Sequence, residues 1–307
     1  MKTCSFRGAL PRSLDEGLFC KSHLPAVLYA LQPCDQMSCP VCETPSTTVH
    51  FNSYRAHRFV NHYYAILNHP ANCQTQNIIY ALTCPCGNYD FIGSTTSNIT
   101  EVIQCIREKG NHFIHNSLLA ATSFHNALYD TNHFLSNEKE KFRLYLHSSR
   151  CTKALQLFLN MNSQYDCFVP MTYEEPMVDD EDNAEEVSFM EANVQLLVEH
   201  VPVPPNGYTF SNKQRQKQQQ FFQKLSSNGN SGRLWSPIDL YHAAVIAVLP
   251  ENCSSLLREV IECLLVTYAE IKLNMFNLRT TDIQQLYGPP YEGIWCEGVK
   301  QPFLHAP

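Results

Sequence analysis

An α+β fold is predicted, with one small three-stranded sheet, helices packed on it and helical regions on both flanks. Three features lead to that class. Between Asn77 and Gly93 an apolar, β-branched run, NIIYALT, and an alternating run, YDFIG, are separated only by CPCGN, the pattern of two strands joined by a reversal. A third short strand-like run, YDCFVPM (165–171), comes later. Most other apolar residues recur at helical spacing.

Residues 1–70 read as a helical, cysteine-rich region. CDQMSCPVC forms a proline-marked loop there, and Phe59, Tyr63 and Ile66 suggest a helix after it. Residues 71–202 read as the sheet-bearing domain. After Gly93, STTSN offers N-cap residues, and Ile99, Val102, Ile103 and Ile106 make one helical stripe that Gly110 is placed to stop. A helical insertion occupies about 112–164, the third strand follows, and AEEVSFMEANVQLLVEH forms a strong helix before the VPVPPNG linker. Residues 203–307 read as helical: SNKQRQKQQQFFQKL, SPIDLYHAAVIAVL with Ser236 as cap, and SSLLREVIECLLVTYAEIKL.

The 307 residues are 44% hydrophobic and 17% charged, enough apolar material for one large core or two modest ones. No apolar run approaches the ~18 residues that a membrane span requires. The first twenty residues carry scattered charges, so an intracellular address, nuclear or cytoplasmic, is expected. With that address, the fourteen cysteines read as reduced thiols, some of them metal-bound. Eight acids fall between Glu174 and Glu186, and removing them from the net charge of −7 leaves +1, so any nucleic-acid contact needs a local basic patch. No small-molecule cofactor is expected.

The order of strand, turn, strand, helix, strand and acid-bearing helix, with IIY (Ile78–Tyr80) and FIG (Phe91–Gly93) on the two strands, resembles the GIY-YIG nucleases. The resemblance covers roughly Cys73 to Val201 and implies metal-dependent hydrolysis of DNA phosphodiesters. It implies that Glu191, followed by Asn193, holds Mg²⁺ or Mn²⁺, that Tyr80 orients or deprotonates the attacking water, and that Gly93 lets backbone approach the phosphate. Glu191 shares a helical face with Val187, Val194 and Val198, but the stripe Val187, Met190, Val194 and Leu197 would leave it at a solvated edge. Val102 and Ile106 stand where similar sequences carry arginine and histidine, and Phe91 stands where they carry tyrosine. Arg107 or His112, at the end of the helix that carries Val102, is the replacement cation on offer, with Arg107 on a different helical face from Val102. Loss of one donor on the developing charge costs about 10²- to 10³-fold, so weakened or lost hydrolysis is expected, with a non-catalytic nucleic-acid-binding or protein-interaction module as the alternative.

Two further groups stand out. Six cysteines, Cys34, Cys39, Cys42, Cys73, Cys84 and Cys86, fall within just over fifty residues with His57 and His62 between them; Cys39 and Cys42 form a C-x2-C pair, Cys84 and Cys86 flank a proline in the hairpin reversal, and the group reads either as a zinc site stapling the amino-terminal region to the hairpin or as reduced core and turn cysteines. Lys213, Arg215, Lys217 and Lys224 carry a local +4, with Phe221 or Phe222 able to pack or to stack on bases; the run either tracks a phosphate backbone or is a solvated face.

Overall fold

A computed structural model describes residues 29–34, 39, 42, 56–119, 141–175, 197–227, 234–274 and 292–300. In chain order its elements are β1 (Leu31–Gln32), β2 (Ala56–Arg58), β3 (Tyr64–Ile66), β4 (Ala71–Asn72), β5 (Ile78–Thr83), β6 (Asp90–Thr95), α1 (Ile99–Leu119), α2 (Phe142–Arg150), α3 (Thr152–Met161), a 3₁₀ turn (Ser163–Phe168), β7 (Met171–Thr172), β8 (Tyr208–Thr209), α4 (Asn212–Ser227), β9 (His242–Val248), α5 (Ser255–Tyr268) and α6 (Gly293–Lys300). The mixture of helix and small sheets agrees with the α+β class. The chain divides into two compact units, residues 1–107 with 241–276, and residues 108–240 with 277–307.

The first unit is built on a three-stranded antiparallel sheet in the order β6-β5-β9. β5 is central, and its residues Ile78 to Leu82 are all buried, which explains its unbroken apolar run. The hairpin expected from Asn77 to Gly93 is present, with Tyr80 opposite Gly93 and Leu82 opposite Phe91. The third strand is not YDCFVPM. It is β9, from the segment that the sequence marks as the helix SPIDLYHAAVIAVL. Alanines at 243, 244 and 247 favour a helix locally, but pairing with β5 and burial on both faces override that propensity. A bulge between Ile79 and Tyr80 lets Ile246 and Ala247 enter the same core.

One face of this sheet presents Ile79, Ala81, Ile92 and Ile246 to Phe59, Tyr63 and Ala65, to Leu265 of α5 and to Ala269 just after it. Ser254 caps α5 by accepting the Leu257 N–H at 3.1 Å. Phe59 and Tyr63 come from the β2/β3 hairpin, where a helix was expected. The helix gives way because the chain reverses there: His62 takes a left-handed φ of 70°, its N–H bonds to the Phe59 carbonyl, and the Asn61 side chain accepts the Tyr63 N–H.

Both sheet edges are closed by asparagine. Asn274 accepts the Ile92 N–H at 2.8 Å and returns its amide N–H to the Ile92 carbonyl on β6. Asn68 makes the same two-way pairing with Val248 on β9, at 2.8 and 2.9 Å. Each side-chain amide replaces the strand that an exposed edge would otherwise recruit.

In the second unit, α2 and α3 are separated by Cys151 alone, which has an extended backbone. YDCFVPM folds as the 3₁₀ turn and contributes only Met171 and Thr172 to a ladder with β8. Its backbone is satisfied differently from a central strand's: the carbonyls of Cys167 and Val169 accept N–H groups from Gln218 and Gln214 of α4, at 2.7 and 2.8 Å. Tyr165 and Phe168 meet Phe158, Phe221 and Phe222 edge to face, with centroids 5.0 to 5.7 Å apart. α4 opens with a reciprocal cap in which Gln214 N–H donates to the Ser211 hydroxyl and Ser211 N–H to the Gln214 side chain, each at 3.1 Å. Ser236 does not cap a helix. It and Ile238 lie in a segment that is neither helix nor strand, clipped by the buried amides of Asn162 and Asn111.

α1 begins where expected, with Asn98 accepting the Glu101 N–H at 3.0 Å, but it runs past Gly110. A Cβ at Gly110 would lie 3.0 Å from a Leu240 methyl, so this glycine makes room for a packed neighbour instead of ending the helix. Among the described residues no helix is long and apolar enough to cross a membrane.

Candidate functional site

Pairing of β5 with β6 places Tyr80, Leu82, Phe91 and Gly93 on one face of the sheet, opposite the face that carries Ile79 and Ile92. The expected Tyr80 and Gly93 therefore do come together, with the Phe91 ring 6.4 Å from the Tyr80 ring. They do not line a cleft. Tyr80 is 1% exposed and Phe91 2%, and a Cβ built at Gly93 would lie 2.5 Å from the Tyr80 hydroxyl and 2.6 Å from Cζ. The space expected to admit a phosphate is filled by the phenol itself, and this is the reason that position 93 requires glycine. Val102 and Ile106 belong to the buried stripe of α1, and Arg107 is half-buried beside that stripe.

Glu191, Asn193 and the helix that carries them lie outside the described residues. The structure places another acid-bearing helix directly after the third strand: α5, with Glu259 exposed and Glu262 half-buried on its inner side. A signal for it exists in the sequence, since Ile261, Glu262, Leu265 and Ala269 share one helical face in SSLLREVIECLLVTYAEIKL. α5 packs on the Ile79 and Ile92 face, however, and Tyr80 belongs to the reverse face. Among the described residues no group of three or more potential metal ligands contains a carboxylate. The oxygen-rich set that Mg²⁺ or Mn²⁺ demands is therefore not assembled by them, and no hydrolytic step through such an ion follows from this geometry.

Asp90 is the buried acid at the hairpin. It accepts the Val60 N–H at 2.6 Å and the Thr83 hydroxyl at 2.7 Å. Burial pushes its carboxyl above the ordinary range, and those two hydrogen bonds pull the other way. Its partners are structural, tying the β2/β3 turn to the sheet.

A cluster of thiols is a further concentration of chemistry. Parallel pairing of β1 with β4, Leu31 with Ala71 and Gln32 with Asn72, brings Cys34 and Cys73 side by side just beyond the two strands. Cys39 and Cys42 join them, with the Cys42 N–H bonded to the Cys39 carbonyl at 3.0 Å. The sulfurs of Cys42 and Cys73 are 3.2 Å apart, those of Cys39 and Cys73 3.5 Å, and those of Cys34 and Cys42 3.7 Å; all four lie within 4.8 Å of one another. Burial raises the Cys73 and Cys42 thiols above their ordinary range. The partners of Cys39 and Cys42 are thus Cys34 and Cys73. Cys84 and Cys86 sit in the hairpin reversal, where the Cys84 N–H bonds to the Tyr89 carbonyl at 2.9 Å, and they belong not to this group but to a second group of potential metal ligands. The set has the donor type and number to hold a soft, four-coordinate metal ion.

The basic run falls on α4 as expected. Lys213, Arg215, Lys217 and Lys224 are exposed, while Gln214, Gln218, Phe221 and Phe222 face inward. The phenylalanines belong to the aromatic core, so neither is placed to stack on a base.

Comparison with protein-family models, with curated proteins and with solved structures finds no match to the chain.

Proposed function

We propose that the protein is a nucleic-acid-binding module on a GIY-YIG-like sheet, without phosphodiester hydrolysis. The architecture is supported by the succession of elements: IIY on a central strand, FIG on its hairpin partner, then a helix, an antiparallel third strand and a helix with an embedded acid. That succession is completed by β9 and α5. One observation carries the loss of hydrolysis: the Tyr80 hydroxyl is sealed against Gly93. General-base or orienting chemistry requires the phenol within hydrogen-bond reach of a water and a phosphate together, and neither has room there. Binding is supported by the exposed cations of α4, where Lys213, Lys217 and Lys224 share one side of the helix, Arg215 is exposed on another, and the helix carries no acid.

Incubation of the full chain with supercoiled plasmid and Mg²⁺ or Mn²⁺ should give no nicking. Nicking that disappears in Tyr80→Phe or Glu262→Gln would overturn the reading. Gel shifts with single- and double-stranded DNA should weaken by about 10²-fold between about 50 and 200 mM salt if all four cations meet phosphates, and the salt slope should flatten in a Lys213→Gln, Lys217→Gln, Lys224→Gln variant. Absence of binding, or binding indifferent to salt, would transfer the module to protein interaction, for which α5 offers an outer face of exposed Leu256, Leu257 and Val260.

A further inference from the structure

We propose that Cys34, Cys39, Cys42 and Cys73 bind one Zn²⁺ as a closed tetrathiolate that locks the amino-terminal β1 strand onto β4, ahead of the central strand. This inference stands apart from the nucleic-acid reading and survives its failure.

The geometry argues for it in three steps. A tetrahedral zinc with bonds of about 2.3 Å sets its sulfurs about 3.8 Å apart. The observed separations of 3.2, 3.5 and 3.7 Å, with every sulfur inside 4.8 Å of the rest, need only small adjustments to surround such an ion. The same separations are too long for a disulfide bond of about 2.05 Å, and none of the four is disulfide-bonded.

The thiols have little other reason to converge. A β1/β4 pair of two residues per strand is far too short to hold itself together. Cys39 lies thirty-four positions from Cys73, and thiols are weak donors and weak acceptors, so their mutual hydrogen bonds cannot offset the closure of that loop. A metal bond to each sulfur can. Cys39 and Cys73 are buried and all four ligands come from the protein, which leaves no open coordination position and marks the site as structural. The surroundings also suit thiolates: the Cys34 N–H points at the Cys42 sulfur from 3.4 Å, a donor that disperses ligand charge. On binding, the four thiols release their protons to solvent and the sulfurs ligate as thiolates.

The test uses the full chain purified without chelator, with metal content measured by inductively coupled plasma mass spectrometry. Cys73→Ser should carry one equivalent of zinc fewer than wild type, while Cys263→Ser, an exposed cysteine of α5, should carry the same amount. Equal zinc in wild type and Cys73→Ser, or iron in place of zinc, would overturn the proposal. If Cys73→Ser fails to fold, Co²⁺-substituted wild type and Cys42→His decide the matter. Wild type should show thiolate-to-cobalt charge transfer with the strong visible bands of a tetrahedral ion, and Cys42→His should shift and weaken the charge transfer. An unchanged spectrum in the variant, or no such bands in wild type, refutes the site. So does a disulfide between any two of the four cysteines in non-reducing peptide mapping.

Discussion

Adding one methyl group at Gly93 tests whether Tyr80 serves the core or a catalytic cleft. The new Cβ would stand 2.5 Å from the Tyr80 hydroxyl oxygen, 2.6 Å from Cζ and 3.0 Å from Cε1 of Phe91. Comfortable contacts fall at about 3.5 to 4.0 Å, so the phenol must retreat by about 1 Å. At 1% exposure it has no open side toward which to move, and overpacking of this kind costs about 1 to 3 kcal/mol. Gly93→Ala should therefore lower the urea midpoint without changing the slope of the transition. Tyr80→Phe removes the nearest atom but leaves Cζ, so it should relieve only part of the clash, whereas Tyr80→Leu removes both. Tyr80→Leu by itself opens a cavity and should cost about 2 to 4 kcal/mol by analogy with other large-to-small changes; combined with Gly93→Ala it should cost visibly less. A favourable coupling of about 1 kcal/mol or more is expected from the double-mutant cycle. Coupling inside the ~0.3 to 0.5 kcal/mol typical of independent sites, or a neutral Gly93→Ala, would mean that the phenol is free to move and would refute the sealed-core reasoning.

Two further outcomes follow from buried polar groups. His115 has Nδ1 2.7 Å from the Tyr165 hydroxyl, stacks on Trp235 with centroids 4.5 Å apart and lies near His112; burial, then the His112 charge, push its pKa down to about 3. The unfolded chain, with an ordinary pKa of about 6.5, binds a proton across that window that the folded chain refuses, so this contribution is complete above about pH 6.5 and is lost as the pH falls towards 3, by up to about 1.4 kcal/mol per pH unit. Urea midpoints measured against pH should show this slope in wild type and a flatter profile in His115→Gln; parallel profiles would exclude a neutral buried imidazole. Asn274→Ala leaves both buried backbone groups of Ile92 unpaired, at a cost of about 2 to 4 kcal/mol, and should speed hydrogen exchange at the Ile92 amide, while Asn274→Asp, which retains the acceptor, should lose less. Unchanged exchange in the alanine variant would show that another group covers that edge.

What the chain declares locally is read from local chemistry. The β5/β6 hairpin is declared by a continuous apolar run, a short polar reversal and an alternating run, and the start of α1 by the capping residues of STTSN, of which Asn98 is the one used. Each signal works because the residues concerned satisfy one another within a few positions. Tertiary structure decided the rest. HAAVIAV is compatible with helix or strand, and only the open edge of β5 selects the strand; FVNHYYAIL keeps a helical spacing of aromatics but turns at His62 and packs them on the sheet. Tyr80 and Gly93 were legible as a pair, but that the phenol is sealed against the glycine depends on sheet register and surrounding core, neither of which lies in the pair's own sequence. Cys34 and Cys73 became partners of Cys39 and Cys42 only when a parallel strand pair joined residues distant in the chain. Contacts closed over long loops depend on the free energy of the whole core and not on neighbours in sequence, which is the physical reason that cysteine density marked six candidates while the fold decided that Cys34 and Cys73 are the two that join Cys39 and Cys42.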